Sequence, residues 1–331
     1  MKLAIVLALV FILASCTNGP DTGRQYIGGG GGLVFSFEEG APPNVIQDAG
    51  QTPMAMMLRV ENTGEYDIDR ASFNLSGISA SDFPGFSTGP FRLEEQHDGS
   101  LVGQALIQDQ IVRGVPTFLD LGEAVYHRSI SGSSLDFTLH AKVCYPYATS
   151  ATASVCLSSN YYNPRISCDP NSATVSASAA PITITNIETS PVGSNQLRVS
   201  FDVAKTGTQQ IWAPEPGQSC PNDRQQLIRE GDLVYVRIDG AGNLINCTGL
   251  PRTGWDVSTI LNAPQQYRTP LSAVGADVQG QVRLSGGRAR VQCTLEVPPG
   301  VDGTSTIDIV AAYYVEDSIS RHFTVERSGR S

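Results

Sequence analysis

The sequence predicts an all-β protein built as two halves, and three observations carry that expectation. Apolar and polar residues alternate along several short segments. No stretch longer than about ten residues sustains a helical period. A strand followed by Thr-Gly occurs once in each half.

In the first half, strand character falls on residues 33–37, 55–61, 72–75 and 135–143. The last is the clearest, with Leu135, Phe137, Leu139, Ala141 and Val143 on one face, the period-2 mark of a sheet with one buried side. The following "HAKVCYPYATSATASVCLSS" reads as two strands about a turn near Ser150, which sets Cys144 and Cys156 symmetrically and makes them a candidate disulfide pair. Residues 168–183, Ser/Ala-rich and uncharged after Asp169, read as a connection. Beyond it, residues 182–187, 197–203, 233–238, 289–297, 306–314 and 322–325 read as strands, and 225–230 as one helical turn. Asp239-Gly240-Ala241-Gly242-Asn243 reads as a hairpin turn, with a calcium loop as the weaker alternative for lack of acidic density.

The halves share a local signature. "RVENTGEYDI" from Arg59 lines up with "DVAKTGTQQI" from Asp202, each preceded by an apolar strand and a Pro-containing loop. The two copies lie too far apart for a solenoid, whose period is about 20 to 50 residues, and imply two units of one fold. The pattern of strand, Asn-x-Gly or x-Thr-Gly, then strand resembles the immunoglobulin-like adhesion modules of archaeal and bacterial surface proteins. With "GGLVFSFEEGAPPNVI", "VCYPYATSATASVC" and "YYVEDSISRHFTVER", the chain is similar to a family of archaeal cell-surface lipoproteins with paired domains of this kind. That resemblance implies two tandem immunoglobulin-like β-sandwich domains, 33–168 and 181–331 around a linker at 169–180, and an envelope location. It brings no catalytic residues.

The N-terminus carries a second resemblance. Met1-Lys2 and an apolar run over 3–14 have the length of a signal-peptide core, too short for the roughly 20 residues of a spanning helix. Leu13-Ala14-Ser15-Cys16 resembles the lipobox of prokaryotic lipoproteins, which implies a leader over 1–15 and lipidation at Cys16; an ordinary leader cut elsewhere is the alternative. Residues 16–32, ending in Gly28–Gly32, read as a flexible tether, since no strand precedes the glycines and no Gly-Lys-Ser/Thr follows them as in a phosphate loop.

Lipidation of Cys16 leaves six of the seven cysteines as disulfide candidates: Cys144, Cys156, Cys168, Cys220, Cys247 and Cys293. An even set in an exported chain suits a disulfide framework. There is no Cys-x-x-Cys, and His97, His127, His140 and His322 lack ligand spacing, so no metal and no cofactor is expected. With 22 basic residues against 32 acidic ones, a net charge of −10, nucleic acid is excluded as the expected partner.

Catalytic motifs are missing: no Gly-x-Ser-x-Gly, no His-Glu-x-x-His. The adjacent carboxylates Glu38-Glu39 and Glu94-Glu95 read as solvated surface, since a glycosidase pair converges from different elements. Trp212 and Trp255 read as core or sheet-edge residues, with sugar stacking as the alternative. Asn74 and Asn246 head N-glycosylation sequons, Asn74 being the stronger because Asn246 adjoins Cys247.

The expected protein is a non-enzymatic, lipid-anchored one on the outer face of the cell membrane, acting in adhesion, envelope architecture or binding of a surface protein or glycan. Two alternatives stand beside it. One is a solute- or glycan-binding lipoprotein serving a transporter. The other is a self-assembling subunit in which residues 33–37 add a strand to a neighbour's sheet.

Overall fold

The computed structural model describes residues 25–50, 52–163, 165–213, 231–240, 243–250 and 278–328. Cys16, the leader, Cys220, residues 225–230 and Trp255 lie outside them. The described chain is nearly all β, 59% strand and 2% helix. The first half contains β1 (Leu33–Phe37), β2 (Val45–Gln47), β3 (Pro53–Asn62), β4 (Ser72–Ser76), β5 (Phe91–Arg92), a helical turn α1 (Leu93–Gln96), β6 (Ala105–Ile107), β7 (Gln110–Val112), β8 (Thr117–Val125) and β9 (Ser134–Ser158). The second contains β10 (Thr174–Ala177), β11 (Ile182–Pro191), β12 (Gln196–Lys205), β13 (Gln210–Trp212), β14 (Leu233–Gly240), β15 (Asn243–Thr248), β16 (Val278–Arg283), β17 (Arg288–Glu296) and β18 (Asp302–Glu326).

One pairing organises the molecule. β9 and β18, each 25 residues, run antiparallel in unbroken register from Ser134↔Glu326 to Ser158↔Asp302. At about 3.3 Å per residue this ribbon extends roughly 80 Å. It forms the middle of a sheet in the order β16-β14-β18-β9-β4-β5, with β10 on β9 and with β13 and β2 on β18. A three-stranded sheet, β1-β3-β8, packs at one end of the ribbon, where Phe35 meets Phe73 edge to face with ring centroids 6.0 Å apart. A four-stranded sheet, β11-β12-β17-β15, packs towards the other end, where the hydroxyl of Thr149 donates to the carbonyl of Ile182 at 2.7 Å.

The Thr-Gly repeat is visible in this arrangement. Leu33 pairs with Asn62 and Ile182 with Lys205, the residue before each Thr. The amide and hydroxyl of Thr63 both donate to the carbonyl of Gly32, at 2.8 and 3.0 Å. Those of Thr206 both donate to Pro181, at 2.9 and 3.1 Å. Tyr145 and Tyr313 are each the twelfth residue of their long strand, and their hydroxyls accept from Leu33 N and Ile182 N at 3.0 and 3.1 Å. The halves are thus related by an approximate two-fold axis through the centre of the ribbon, and each long strand crosses from its own half into the other.

This crossing overturns several expectations. There is no turn near Ser150, so Cys144 and Cys156 lie on one strand, twelve residues and roughly 40 Å apart at strand rise, and cannot bond to each other. Cys156 is bonded to Cys168, and Cys247 to Cys293, its cross-strand neighbour on β17. Cys144 is disulfide-bonded as well, to a partner outside the described residues. The segments read as separate strands over 306–314 and 322–325 are one strand, β18. Part of the expected linker forms β10, paired with residues 151–154 of β9. β14 and β15 join different sheets, so residues 239–243 do not connect a paired hairpin.

The Gly-rich stretch likewise departs from a free tether where it is described. The amides of Ile27 and Gly28 donate to the carboxylate of Glu65, and a Cβ added to Gly31 would stand 2.7 Å from the Cα of Gly64. Residues 33–37, the segment that the self-assembly alternative has adding a strand to a neighbour's sheet, form the edge strand β1, paired on one side with β3 of the same chain.

The end of β18 is held by a clasp. β2 pairs in parallel with Thr324, Val325 and Glu326, and the buried carboxylate of Asp48 accepts from Ser328 N at 2.8 Å, Ser328 Oγ at 2.6 Å and Ile130 N at 2.9 Å. The Ser328 hydroxyl, then the two amides, hold this carboxyl below the usual carboxylate range, Arg327 helping and burial opposing. A depressed carboxyl contributes stability above its unfolded pKa of about 3.9, and that contribution fades as pH falls through the folded value. Asp48→Asn is therefore expected to lower the urea midpoint at pH 7, with the gap to wild type closing below about pH 4; a constant gap across urea titrations from pH 7 to pH 2 would contradict it.

Because each half supplies a strand to the other, the fragments 25–168 and 169–328 should not fold separately. Expressed alone, each is expected to lack near-ultraviolet tyrosine dichroism and a cooperative transition, and refolding them together should restore both.

Candidate functional site

At the waist of the ribbon, residues 143–149 of β9 and 311–316 of β18 are buried without alternation. One face meets the two smaller sheets. On the other, Trp212 of β13, the strand paired beside β18, lies against Tyr314 with centroids 5.1 Å apart. Over this waist converge residues 27–33, the Asn62-Thr63-Gly64-Glu65 turn and residues 178–182.

Asn62 organises the turn. It is 1% exposed, and its side-chain amide donates to the carbonyls of Tyr66 at 2.7 Å and Leu101 at 3.0 Å, while its oxygen accepts from Gly64 N at 3.1 Å. Glu65 gathers three amides, Ile27 at 3.1 Å, Gly28 at 3.3 Å and Ala179 at 2.6 Å, and so ties the N-terminal stretch to the segment between the halves. Beneath, Tyr147 packs against Tyr66, Tyr145 and Tyr313 with centroids 5.4, 6.0 and 6.2 Å apart. The hydroxyl of Tyr147 accepts from Tyr66 N at 3.3 Å, and that of Tyr313 bonds Thr149 Oγ1 at 2.9 Å. Burial pushes the phenols of Tyr145, Tyr147 and Tyr313 well up. They remain neutral at physiological pH, so the cluster joins the halves mechanically and offers no phenolate for catalysis.

From this turn projects a hairpin absent from the sequence reading. Gly103 N donates to Asp67 Oδ1 at 2.8 Å and Gln104 N to Gly64 O at 2.7 Å. β6 and β7 then form a separate two-stranded sheet, with Leu106 opposite Ile111 and Ala105 opposite Val112. The tight turn uses Gln108 and Asp109, both at positive φ (51° and 62°). Such turns usually carry Asn-Gly or Asp-Gly, so the sequence lacked the signal that identifies them.

The residues singled out from sequence are dispersed. Asn74 and Asn246, the sequon heads, are exposed on β4 and β15. Trp212 is fully buried and presents no open ring face to a sugar. His97 Nδ1 lies 3.4 Å from Thr117 Oγ1, and His322 Nδ1 lies 2.8 Å from Thr138 Oγ1. Among the described residues no three His, Cys, Asp or Glu side chains are placed to hold a metal ion. Asp239 is engaged by Arg237 at 3.2 Å. Asp202 is likewise engaged, by Arg288 at 2.8 Å and Asn186 at 2.9 Å.

No protein-family model matches the chain, and no curated protein does. Among solved structures, a red sea bream transglutaminase aligns over 90% of this chain and 31% of its own at 9% identity, with a TM-score of 0.17. The chain thus spans under a third of that protein. The major capsid protein P2 of bacteriophage PM2 aligns over 86% of this chain and 97% of its own at 10% identity, also with a TM-score of 0.17.

The waist leaves no room for a side chain at Gly64, where an added Cβ would stand 1.8 Å from the Tyr147 hydroxyl and 2.8 Å from the Ala179 carbonyl. Gly64→Ala should destabilise by about 3 kcal/mol through overpacking of a buried junction. Gly40→Ala meets nothing within 4 Å, and at φ +76° should cost only about 1 kcal/mol of left-handed strain. Urea denaturation of both variants tests the ranking.

Proposed function

We propose that this chain is a non-enzymatic cell-surface protein, lipid-anchored through Cys16, whose two immunoglobulin-like β-sandwich units present a binding surface to a protein or glycan of the cell envelope. The observation that carries the reading is the lipobox-like Leu-Ala-Ser-Cys on a disulfide-bonded body. Disulfides of this kind persist in oxidising compartments outside the cytosol.

Among the described residues the chain is already held at Tyr26, whose amide donates to Ser176 Oγ at 3.4 Å. From Cys16 to Tyr26 the chain can reach at most roughly 36 Å, fully extended. A lipid on Cys16 therefore keeps the body close to the bilayer, shorter of reach than a tether extending to Gly32 would allow.

Intact-mass measurement on protein extracted from the native membrane tests the anchor. The expected species begins at Cys16 with added lipid mass, and Cys16→Ser should shift the protein out of the detergent-rich phase on phase partitioning. An unlipidated chain starting elsewhere would overturn the anchor, and a metal-independent hydrolytic activity of the purified protein would overturn the non-enzymatic reading.

A further inference from the structure

The β6–β7 hairpin is built in a way that a free surface hairpin is not. Neither outer edge pairs with another described strand. Both faces carry apolar side chains: Leu106 and Ile111 on one, Ala105, Ile107 and Val112 on the other. Isolated two-stranded hairpins are marginal in water, and open edges with apolar residues are ready templates for strand pairing.

Exposed apolar residues concentrate in the same stretch of chain. Val102, Ile107, Ile111, Val112, Val115 and Phe118 are all about half exposed or more, and Val115 reaches 81%. They lie on both faces of the hairpin and in the segments flanking it, so that apolar side chains surround the open strand edge.

The charges select the occupant. The chain is acidic overall, yet the only formal charges between Val102 and Phe118 are Asp109 and Arg113, both exposed and without an ion pair among the described residues. If β7 pairs antiparallel with β7 of a second copy about a two-fold axis at Ile111, residue numbers facing each other sum to the same value. Ile111 then meets Ile111 and Gln110 meets Val112, and Asp109, in the turn at one end of β7, is brought beside Arg113, just past its other end, twice. An isologous contact of this kind closes at two copies. β6 has no charged residue and offers no comparable register.

We propose that the β6–β7 hairpin is a homotypic docking edge, at which two copies of this chain join their β7 strands antiparallel into a four-stranded sheet. The contact goes beyond the surface-binding reading and does not use residues 33–37.

Sedimentation velocity of the chain from Thr17 onward, which keeps every described residue and lacks the lipid, tests the contact. Wild type should show a concentration-dependent dimer in the micromolar range. Arg113→Asp, which sets Asp against Asp109 at two places, should weaken association roughly tenfold or more. The exchanged variant Asp109→Arg with Arg113→Asp should restore it. Both positions are exposed, and circular dichroism checks that each variant folds. Hydrogen exchange at residues 110–112 should slow with concentration in wild type and in the exchanged variant alone. A wild type that stays monomeric to about 100 µM, an Arg113→Asp chain that dimerises equally well, or an exchanged variant that does not recover would each overturn the proposal. None of these results bears on the mass of the lipidated N-terminus, so the anchor reading stands or falls separately.

Discussion

The antiparallel pairing of Ser134–Ser158 with Asp302–Glu326 is the constraint from which the rest of the structure follows. Backbone ladders are satisfied only in register, and a one-residue slip would turn every side chain of a strand to the opposite face. Here that slip would affect both ends of the molecule together, since the same two strands line the core beneath both smaller sheets. Each half is consequently the template on which the other completes its core.

The waist is where this arrangement is most demanding. A strand passing from one packed layer to the next has no solvent face at the crossing, and side chains on both faces must be buried. Tyrosine suits the position, with a ring to fill the space and a hydroxyl to meet the backbone amides that open β1 and β11. Asn62 and Glu65 supply the remaining partners for backbone groups in the turn and in the strand-free segments above it. Beside this turn, the β6–β7 hairpin carries a run of exposed apolar side chains.

Much of the strand content was legible. Residues 33–37, 55–61 and 289–297 follow two-fold periodicity because one side faces a core and the other is more exposed, and they match β1, β3 and β17; residues 197–203 match β12, whose Ser200 and Asp202 are buried on the second face. The Thr-Gly repeat was legible as well, since Thr63 and Thr206 perform the same backbone task. The long strands were broken wrongly: β9 was given a turn near Ser150, just past the doubly buried 143–149, and β18 was interrupted over 315–321, where Glu316, Asp317, Ser318, Ser320 and Arg321 dilute the apolar pattern. The disulfide pairing failed for the same reason, because a hairpin that did not exist set Cys144 against Cys156. The hairpin at residues 105–112 escaped notice because its turn residues, Gln108 and Asp109, are not the usual ones.

By itself the sequence determined the all-β class, the two-fold repetition, the lipobox-like N-terminus and the acidic, motif-poor character that argues against nucleic-acid binding. These are local or compositional properties, carried by side-chain period, residue type and charge. Only the tertiary structure decided that the halves interlock instead of following one another, which cysteines meet, and that the glycines before Leu33 pack against Gly64. Those outcomes depend on which distant strands share an edge, and side-chain periodicity specifies a strand's faces but not its neighbours.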